Sequence, residues 1–396
     1  MSFRGIENLK PENFNPEQCS KELRTMWYQL LLLRTLGLIA LLGFLLLIVT
    51  PNIAKAAPPI VSYDFTAGDT GAAKQGFAFG QSDWTIPTVP GTSIKGMNFL
   101  FYGVPPFEDR IVQQNFYFPP RDQFWFYFRL YIPPNYEHRS DTYLQVGSGA
   151  QAAGWQIGDV IAASDNVTTG TLSGYASNGI YIRNAKLNNR NDLWEGTITN
   201  QTRNLTRNST QRLTDSNNNK LLAIWTDGYS GAGLGSTVVW EFWAADLNTV
   251  PYVPGSDLCV HYSIGNYSGA SAHEGCGPFI SYSDRGKFID IMVYVKFTTA
   301  PGANNGIITT WLRHDGQSNY AVMSSVTNAN IDKRGSTANP GQLVSWNQGY
   351  LMGHSNSGYD EDTEFFITKV EYYDADPFDS TPTVVLPTPP TFFRLR

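Results

Sequence analysis

The stretch DQFWFYFRLYIPP, residues 122–134, determines how the rest of the chain is interpreted. Its aromatic composition and the two prolines that close it favour a β-strand. Successive side chains of a strand point to opposite faces, so the stretch divides into two sets. One face is purely apolar and consists of Phe124, Phe126, Phe128, Leu130 and Ile132. The other face carries planar groups with polar tips and consists of Trp125, Tyr127, Arg129 and Tyr131. We expect the first face in the core of a sandwich and the second as the floor of a polar ligand site.

Strand-like runs recur to about residue 375, separated by Gly, Asn, Pro and Ser. They are residues 179–185, 237–246, 287–297, 306–316 and 363–374. This pattern predicts an all-β protein, an antiparallel β-sandwich. The polar stretch 199–220 is predicted to be an exposed loop or a short surface helix.

Three of these runs repeat the two-faced pattern of residues 122–134. Their polar or aromatic sides carry Tyr181 and Arg183, Glu241, and Tyr294 with Lys296. If the strands are neighbours, these faces form one groove with aromatic and cationic walls. Aromatic rings stack on the C–H faces of pyranose rings, and planar donors recognise hydroxyls and carboxylates. The pattern therefore indicates a polysaccharide site; the alternative is that these are ordinary solvent faces of a sandwich.

The composition narrows the class of protein. Among 396 residues, charged residues make up 16% and the formal net charge is −6. A negative chain without a basic stripe is not expected to bind nucleic acid.

The N-terminus indicates export. Arg34 precedes the apolar stretch 35–49, and the small residues Ala54, Ala56 and Ala57 flank the expected cut site. Residues 1–56 are therefore predicted to be a signal peptide, or a signal anchor that would hold the protein at a membrane. We expect a β-domain over residues 57–378, a Pro/Thr-rich tail over 379–396, and a secreted or cell-surface location.

Two cysteines remain after the export segment, Cys259 and Cys276. In an oxidising compartment we expect a disulfide, and the alternative is a reactive or metal-binding pair with His261 and His273. Five sequons are candidate glycosylation sites: Asn166, Asn200, Asn204, Asn208 and Asn266. No cofactor is expected, except that Asp64 and Asp69 are either ligands of a structural Ca²⁺ or ordinary turn residues.

Three stretches carry a resemblance to a known family: SYDFTAGD (62–69), KFIDIMVYVKF with GIITTWLRHDGQ (287–317), and YLMGHSNSGYDEDTEFFITKVEYYD (350–374). They resemble concanavalin A-like jelly rolls, in particular those of secreted polysaccharide lyases and lectin or laminin-G-type domains. The resemblance implies two curved antiparallel sheets, with the glycan bound on the concave one.

The resemblance to lyases implies cleavage of an acidic polysaccharide by β-elimination. Arg129 would neutralise the carboxylate, and Tyr127, Tyr294 or His261 would act as acid or base. The substrate would contact Trp125, Tyr131, Lys296, Arg183, Tyr181 and Glu241. The alternative is a non-catalytic lectin-like or structural surface protein, such as a self-assembling filament subunit.

A glucanase of the same fold would need alternating carboxylates on one strand. Asp360, Asp362 and Glu364 have that spacing, but Glu361 and Thr363 between them are polar. A solvated turn before the last strand is the interpretation we adopt for this stretch.

Overall fold

Twenty-one β-strands and three short 3-10 turns account for most of the chain that the computed structural model describes. The described residues are 27, 29, 56–80, 84–105, 108–139, 141–147, 149, 154–183, 191–214, 218–227, 235–244, 255–264, 274–300, 302–333, 343–356 and 358–378. Most of the predicted export segment and the whole predicted tail lie outside them. Within this part of the chain, no helix is both long and apolar enough to cross a membrane. Residues Ala57–Phe378 lie in one compact unit.

Two antiparallel sheets enclose the main core. The first sheet has the order β1-β21-β5-β17-β18-β19, with β3 also paired to β21. Its strands are β1 (Val61–Asp64), β3 (Met97–Phe101), β5 (Gln123–Tyr131), β17 (Phe288–Lys296), β18 (Gly306–His314), β19 (Ala321–Ala329) and β21 (Thr363–Tyr373). The second sheet has the order β16-β15-β14-β13-β20-β4-β2. Its strands are β2 (Ala78–Phe79), β4 (Arg110–Arg121), β13 (Asn218–Thr226), β14 (Ser236–Ala244), β15 (Gly255–Ile264), β16 (Glu274–Ser281) and β20 (Trp346–Ser355).

A third antiparallel sheet is formed by consecutive strands between β5 and β13, in the order β11-β10-β7-β8-β9-β6-β12. Its strands are β6 (Asp141–Gln145), β7 (Val160–Ala162), β8 (Thr169–Ala176), β9 (Gly179–Arg183), β10 (Gly196–Asn200), β11 (Leu205–Ser209) and β12 (Gln211–Thr214). The 3-10 turns are Phe65–Ala67, Asn191–Trp194 and Tyr282–Asp284. The prediction of a loop or helix over residues 199–220 is wrong, because residues 205–209, 211–214 and 218–220 of this stretch form strands.

The apolar faces of the first two sheets pack against each other, as the predicted sandwich requires. The apolar side of β5 is completely buried, with Phe124, Phe126 and Phe128 at 0% exposure. Across the interface, the rings of Phe116 and Phe126 stack with centroids 4.8 Å apart. Trp240 of β14 donates a hydrogen bond to Thr310 of β18 at 2.8 Å. The predicted antiparallel β-sandwich is therefore confirmed, and close ring packing of this kind stabilises a core beyond the area that it buries.

The third sheet has a small core of its own, which includes Trp155 and Trp194. A group of charges, of which Arg139 and Asp141 are buried, joins it to the sandwich. Arg139, 2% exposed, places its guanidinium 3.5 Å from Asp141 and 2.5 Å from Asp360. Arg183 of β9 forms an ion pair with the same Asp360. Asp360 therefore acts as a structural ion-pair partner between the β20–β21 connection and the third sheet.

Asp362 and Glu364, the other two carboxylates that were considered for a glucanase site, also have structural partners. Asp362 accepts a hydrogen bond from the Gly103 amide, and Glu364 accepts one from Asn98, both at 2.9 Å. This arrangement agrees with a turn that leads into β21.

One predicted glycosylation site is a buried structural residue. Asn200 is 0% exposed, its amide nitrogen donates to Asp159 at 2.7 Å, and its carbonyl oxygen accepts from the Arg203 backbone amide at 3.0 Å. The prediction of a glycan at Asn200 is wrong for the folded protein, because a glycan would replace this hydrogen bond inside the fold. Asn166, Asn204 and Asn208 are exposed, and Asn266 lies outside the described residues.

The predicted disulfide is confirmed. Cys259 of β15 and Cys276 of β16 are joined, with their Cα atoms 4.1 Å apart. The alternative of a thiol or metal pair does not apply to bonded cysteines, and His273 lies outside the described residues. The bond links two neighbouring strands at one edge of the second sheet.

Replacing both cysteines by alanine is expected to lower the free energy of unfolding by about 3 kcal/mol, because the bond restricts the unfolded chain. Denaturant unfolding of the double variant measures this loss, and reduction of the wild-type protein serves as its control. A loss below about 1 kcal/mol would show that the neighbouring strand pairs already impose the restriction.

The Asp159 carboxylate should give the stability of the protein a measurable pH dependence. Although burial opposes ionisation, hydrogen bonds from Asn200, Gln156 and Arg203 hold its pKa below the ordinary value. The stability that it contributes is therefore present above the unfolded-state pKa, about 4, and is lost as the pH falls through the folded-state pKa.

Asp159→Asn is accordingly expected to cost about 1–3 kcal/mol at pH 7 and less at pH 3. Denaturant unfolding at the two pH values measures the difference. Asp315→Asn is the matched control, since Asp315 is an exposed aspartate in a turn. An equal cost for Asp159→Asn at both pH values would show that ionisation of Asp159 does not make the stability depend on pH.

Candidate functional site

Six of the predicted site residues lie on the outer face of the first sheet: Trp125, Tyr127, Arg129, Tyr131, Tyr294 and Lys296. Strands β5 and β17 are direct neighbours, with Trp125 opposite Tyr294 and Gln123 opposite Lys296. The sequence analysis considered that the two-faced strands are neighbours, and β5 and β17 are.

The rings on this face are packed together and largely inaccessible. Trp125 is 8% exposed, Tyr127 6% and Tyr131 2%. The ring of Trp125 stacks on that of Tyr294 at 4.2 Å. Phe378, which follows β21, packs on the Trp311 ring at 5.0 Å. The expectation that Trp125, Tyr127 and Tyr131 form an open ligand floor is therefore wrong.

Asp290 pairs with two arginines of the same face. It accepts two hydrogen bonds from Arg313, at 2.9 and 2.7 Å, and one from the Tyr127 hydroxyl at 2.7 Å. The Arg129 guanidinium lies 3.7 Å from it. Burial first, and then the Asp290 charge, raise the pKa of Tyr127 far above its ordinary value. Tyr127 therefore keeps its proton and acts as a hydrogen-bond donor to Asp290, which does not suit it to the predicted role of a base.

The remaining predicted residues belong to other sheets, so the prediction of one continuous groove is wrong. Tyr181 and Arg183 lie on β9 of the third sheet, whereas Glu241 and His261 lie on β14 and β15 of the second. The alternation of side chains identifies the face of a strand but does not determine the sheet to which the strand belongs.

A different surface has the properties that were expected of the groove. It is the outer face of the second sheet, and it crosses β4, β20 and β13. The strand registers align Tyr117 with Gln348 and Trp225, and Asn115 with Tyr350. Tyr117 is 48% exposed, and the other four side chains are partly exposed. Aromatic rings and amide groups therefore alternate on an accessible face.

Two of these rings form the centre of the surface. Trp225 and Tyr350 meet edge to face, with centroids 5.3 Å apart. A Cβ atom at Gly353 would lie only 2.7 Å from Cε2 of Tyr350. A glycine at this position therefore leaves room for the tyrosine ring to lie close to the backbone.

A buried polar pair continues the same face toward β15. Glu241 lies in register between Lys220 and Cys259. Its carboxylate accepts a hydrogen bond from Asn218 at 2.6 Å and lies 3.4 Å from Nε2 of His261. Glu241 is 1% exposed and His261 5%. Both side chains of the pair are therefore buried, and the partly exposed Lys220 lies beside Glu241.

The sequence analysis did not identify Tyr117, Trp225 and Tyr350. A weak signal for the first was present in FYF, residues 116–118, where a tyrosine with a polar hydroxyl stands between two phenylalanines. Trp225 lies in LLAIWT, which is apolar at five consecutive positions. Short runs of this kind show no alternation to detect.

The residues considered for calcium have other partners. Asp64 accepts hydrogen bonds from the backbone amides of Thr66 and Ala67, and Asp69 forms an ion pair with Lys74 at 2.6 Å. In the described part of the chain, no group of three or more metal-binding side chains is found.

No family model matches the sequence, and no curated protein matches it. The fold is similar to the Emp46p carbohydrate recognition domain in its metal-free form, with a TM-score of 0.32, 8% identity, and coverage of 82% of this chain and 98% of that one. It is similar to SCLam, a non-specific endo-β-1,3(4)-glucanase of family GH16, with a TM-score of 0.32, 6% identity, and coverage of 82% and 97%. A legume lectin-like domain from Entamoeba histolytica gives a TM-score of 0.27, 9% identity, and coverage of 81% and 99%.

Proposed function

We propose that the protein binds a polysaccharide on the outer face of the second sheet. The observation that carries this proposal is the accessible set of rings formed by Tyr117, Trp225 and Tyr350, with amide side chains between them. A rigid strand framework holds each ring, so little conformational entropy is lost when a ligand binds.

The chemistry of this face suits a sugar. A pyranose presents apolar C–H groups on its faces and hydroxyls around its rim. Aromatic rings pack on the C–H groups. The amide groups of Asn115 and Gln348 offer both donors and acceptors to the hydroxyls. Few other ligands require both features in alternation over several strands.

We propose that the glycan is acidic and that the positive charge of Lys220, on the binding face next to the Tyr350 and Gly353 positions, attracts its carboxylates. Lys220 also has a partner within the chain, so a ligand carboxylate would share it. We also propose that the protein is exported through its N-terminal segment to meet such a glycan.

Trp225→Ala is expected to weaken glycan binding by about tenfold or more, because the central ring of the face is lost; a factor of ten corresponds to about 1.4 kcal/mol. Calorimetric titration with alginate, glucuronan, pectate and glycosaminoglycan oligosaccharides measures the change. Trp311→Ala is the matched control, since Trp311 is a partly exposed tryptophan on the outer face of the first sheet.

The two variants separate the two surfaces. If Trp311→Ala weakens binding and Trp225→Ala does not, the site lies on the first sheet and the proposal is wrong. If the wild-type protein binds none of these glycans, the structural alternative of a surface or filament protein takes its place.

The Glu241–His261 contact favours a second candidate function, cleavage of the bound glycan by β-elimination. A carboxylate fixes the orientation of an imidazole and makes it a better base, and a lysine beside them would neutralise a uronate. Glu241 and His261 lie on the same face as the rings but are buried, so cleavage requires that they become accessible when the glycan binds.

Cleavage is expected to produce unsaturated ends, which absorb in the ultraviolet. His261→Ala should reduce the initial rate by at least a factor of about 100, the usual contribution of a general base. Ligand affinity should change little, since His261 is buried. A rate unaffected by His261→Ala would remove this residue from the reaction, and binding without any product would leave a lectin-like protein.

A further inference from the structure

The third sheet has a second face that neither its core nor the proposed glycan site uses. Leu144, Ile180 and Ile182 point into the small core of this sheet. The alternating residues Tyr143 and Tyr181 therefore point to the opposite face, directly across from each other on β6 and β9. Both side chains are partly exposed.

The two tyrosine rings lie close against the backbone of the sheet. A Cβ atom at Gly179 would be 2.5 Å from Cε2 of Tyr143, and one at Gly174 would be 3.2 Å from Cδ2 of Tyr181. The ring centroids are 5.7 Å apart and the ring planes are inclined by 53°. The glycines thus allow both rings to lean on the strands, so that they form a shallow aromatic platform.

The charges that border this platform balance each other. Two guanidinium groups, those of Arg139 and Arg183, face two carboxylates, those of Asp141 and Asp360. Ser173 donates a further hydrogen bond to Asp141 at 2.6 Å. A charged ligand would have to compete with ion pairs that join the third sheet to the sandwich, whereas an uncharged one would not.

We propose that Tyr143 and Tyr181 form a second saccharide-binding platform, which takes a neutral sugar. The inclined rings present their faces to pyranose C–H groups, and Gln145, two residues beyond Tyr143 on the same face, offers a donor and an acceptor for hydroxyls. The platform is independent of the site on the second sheet, and each can be correct without the other.

The test uses the full chain with Trp225→Ala, which removes the central ring of the second-sheet site. Calorimetric titration with neutral oligosaccharides of glucose, mannose, galactose and xylose is expected to show one binding site per chain. Adding Tyr143→Ala and Tyr181→Ala should weaken that binding by at least about tenfold.

Two controls separate binding from folding. Tyr143→Phe with Tyr181→Phe keeps both rings and should retain the affinity. Tyr175→Phe alters a tyrosine on the opposite face of the same sheet, where its hydroxyl donates to the Trp155 carbonyl at 2.6 Å, and should leave binding unchanged. Thermal unfolding verifies that each variant is folded.

The proposal is overturned if no neutral oligosaccharide binds to the Trp225→Ala protein. It is also overturned if the alanine pair binds as tightly as its parent. Loss of binding in Trp225→Ala alone would assign all recognition to the second sheet.

Discussion

The packing of the apolar side of β5 against the second sheet is the contact on which the rest of the structure depends. β5 lies between β21 and β17 in the first sheet, and its phenylalanines meet those of β4 across the core. Its second face is buried as well, under a shell of aromatic rings and the Asp290 ion pairs. A strand covered on both faces holds its neighbours in register, because a slip of one residue would exchange the phenylalanines with Arg129 and its companions.

The same burial explains why the first sheet is a poor binding surface although its composition suits one. Aromatic and charged side chains on a strand can satisfy each other as well as they satisfy a ligand. Asp290 takes up hydrogen bonds from Arg313 and Tyr127, and Tyr294 donates to Gln123 at 2.9 Å. The second sheet has comparable residues but leaves Tyr117, Trp225 and Tyr350 partly open to solvent. Accessibility, more than composition, distinguishes the two faces.

The sequence predicted the local structure well, because it depends on alternation within a strand. The burial of Phe124, Phe126 and Phe128 and the disulfide were predicted correctly. The assignment of Tyr181 and His261 to one groove failed, since pairing between distant strands leaves no trace in the alternation. Asn200 satisfies the pattern of a glycosylation site, yet its burial follows from contacts with Asp159 and Arg203 in the folded sheet. Strands with exposed polar side chains, such as β11, resemble loops in composition.

The position of β21 has a consequence for how the protein is made. This strand, the last one described, inserts between β1 and β5, so that Val61 pairs with Tyr372 and Phe126 with the same residue from the other side. The first sheet is therefore discontinuous until nearly the whole chain has been synthesised. Pairings of such long sequence separation form slowly. Until then β1 and β5 both present unpaired edges, which are sites of incorrect association. The sandwich therefore closes only after the C-terminal strand has been synthesised.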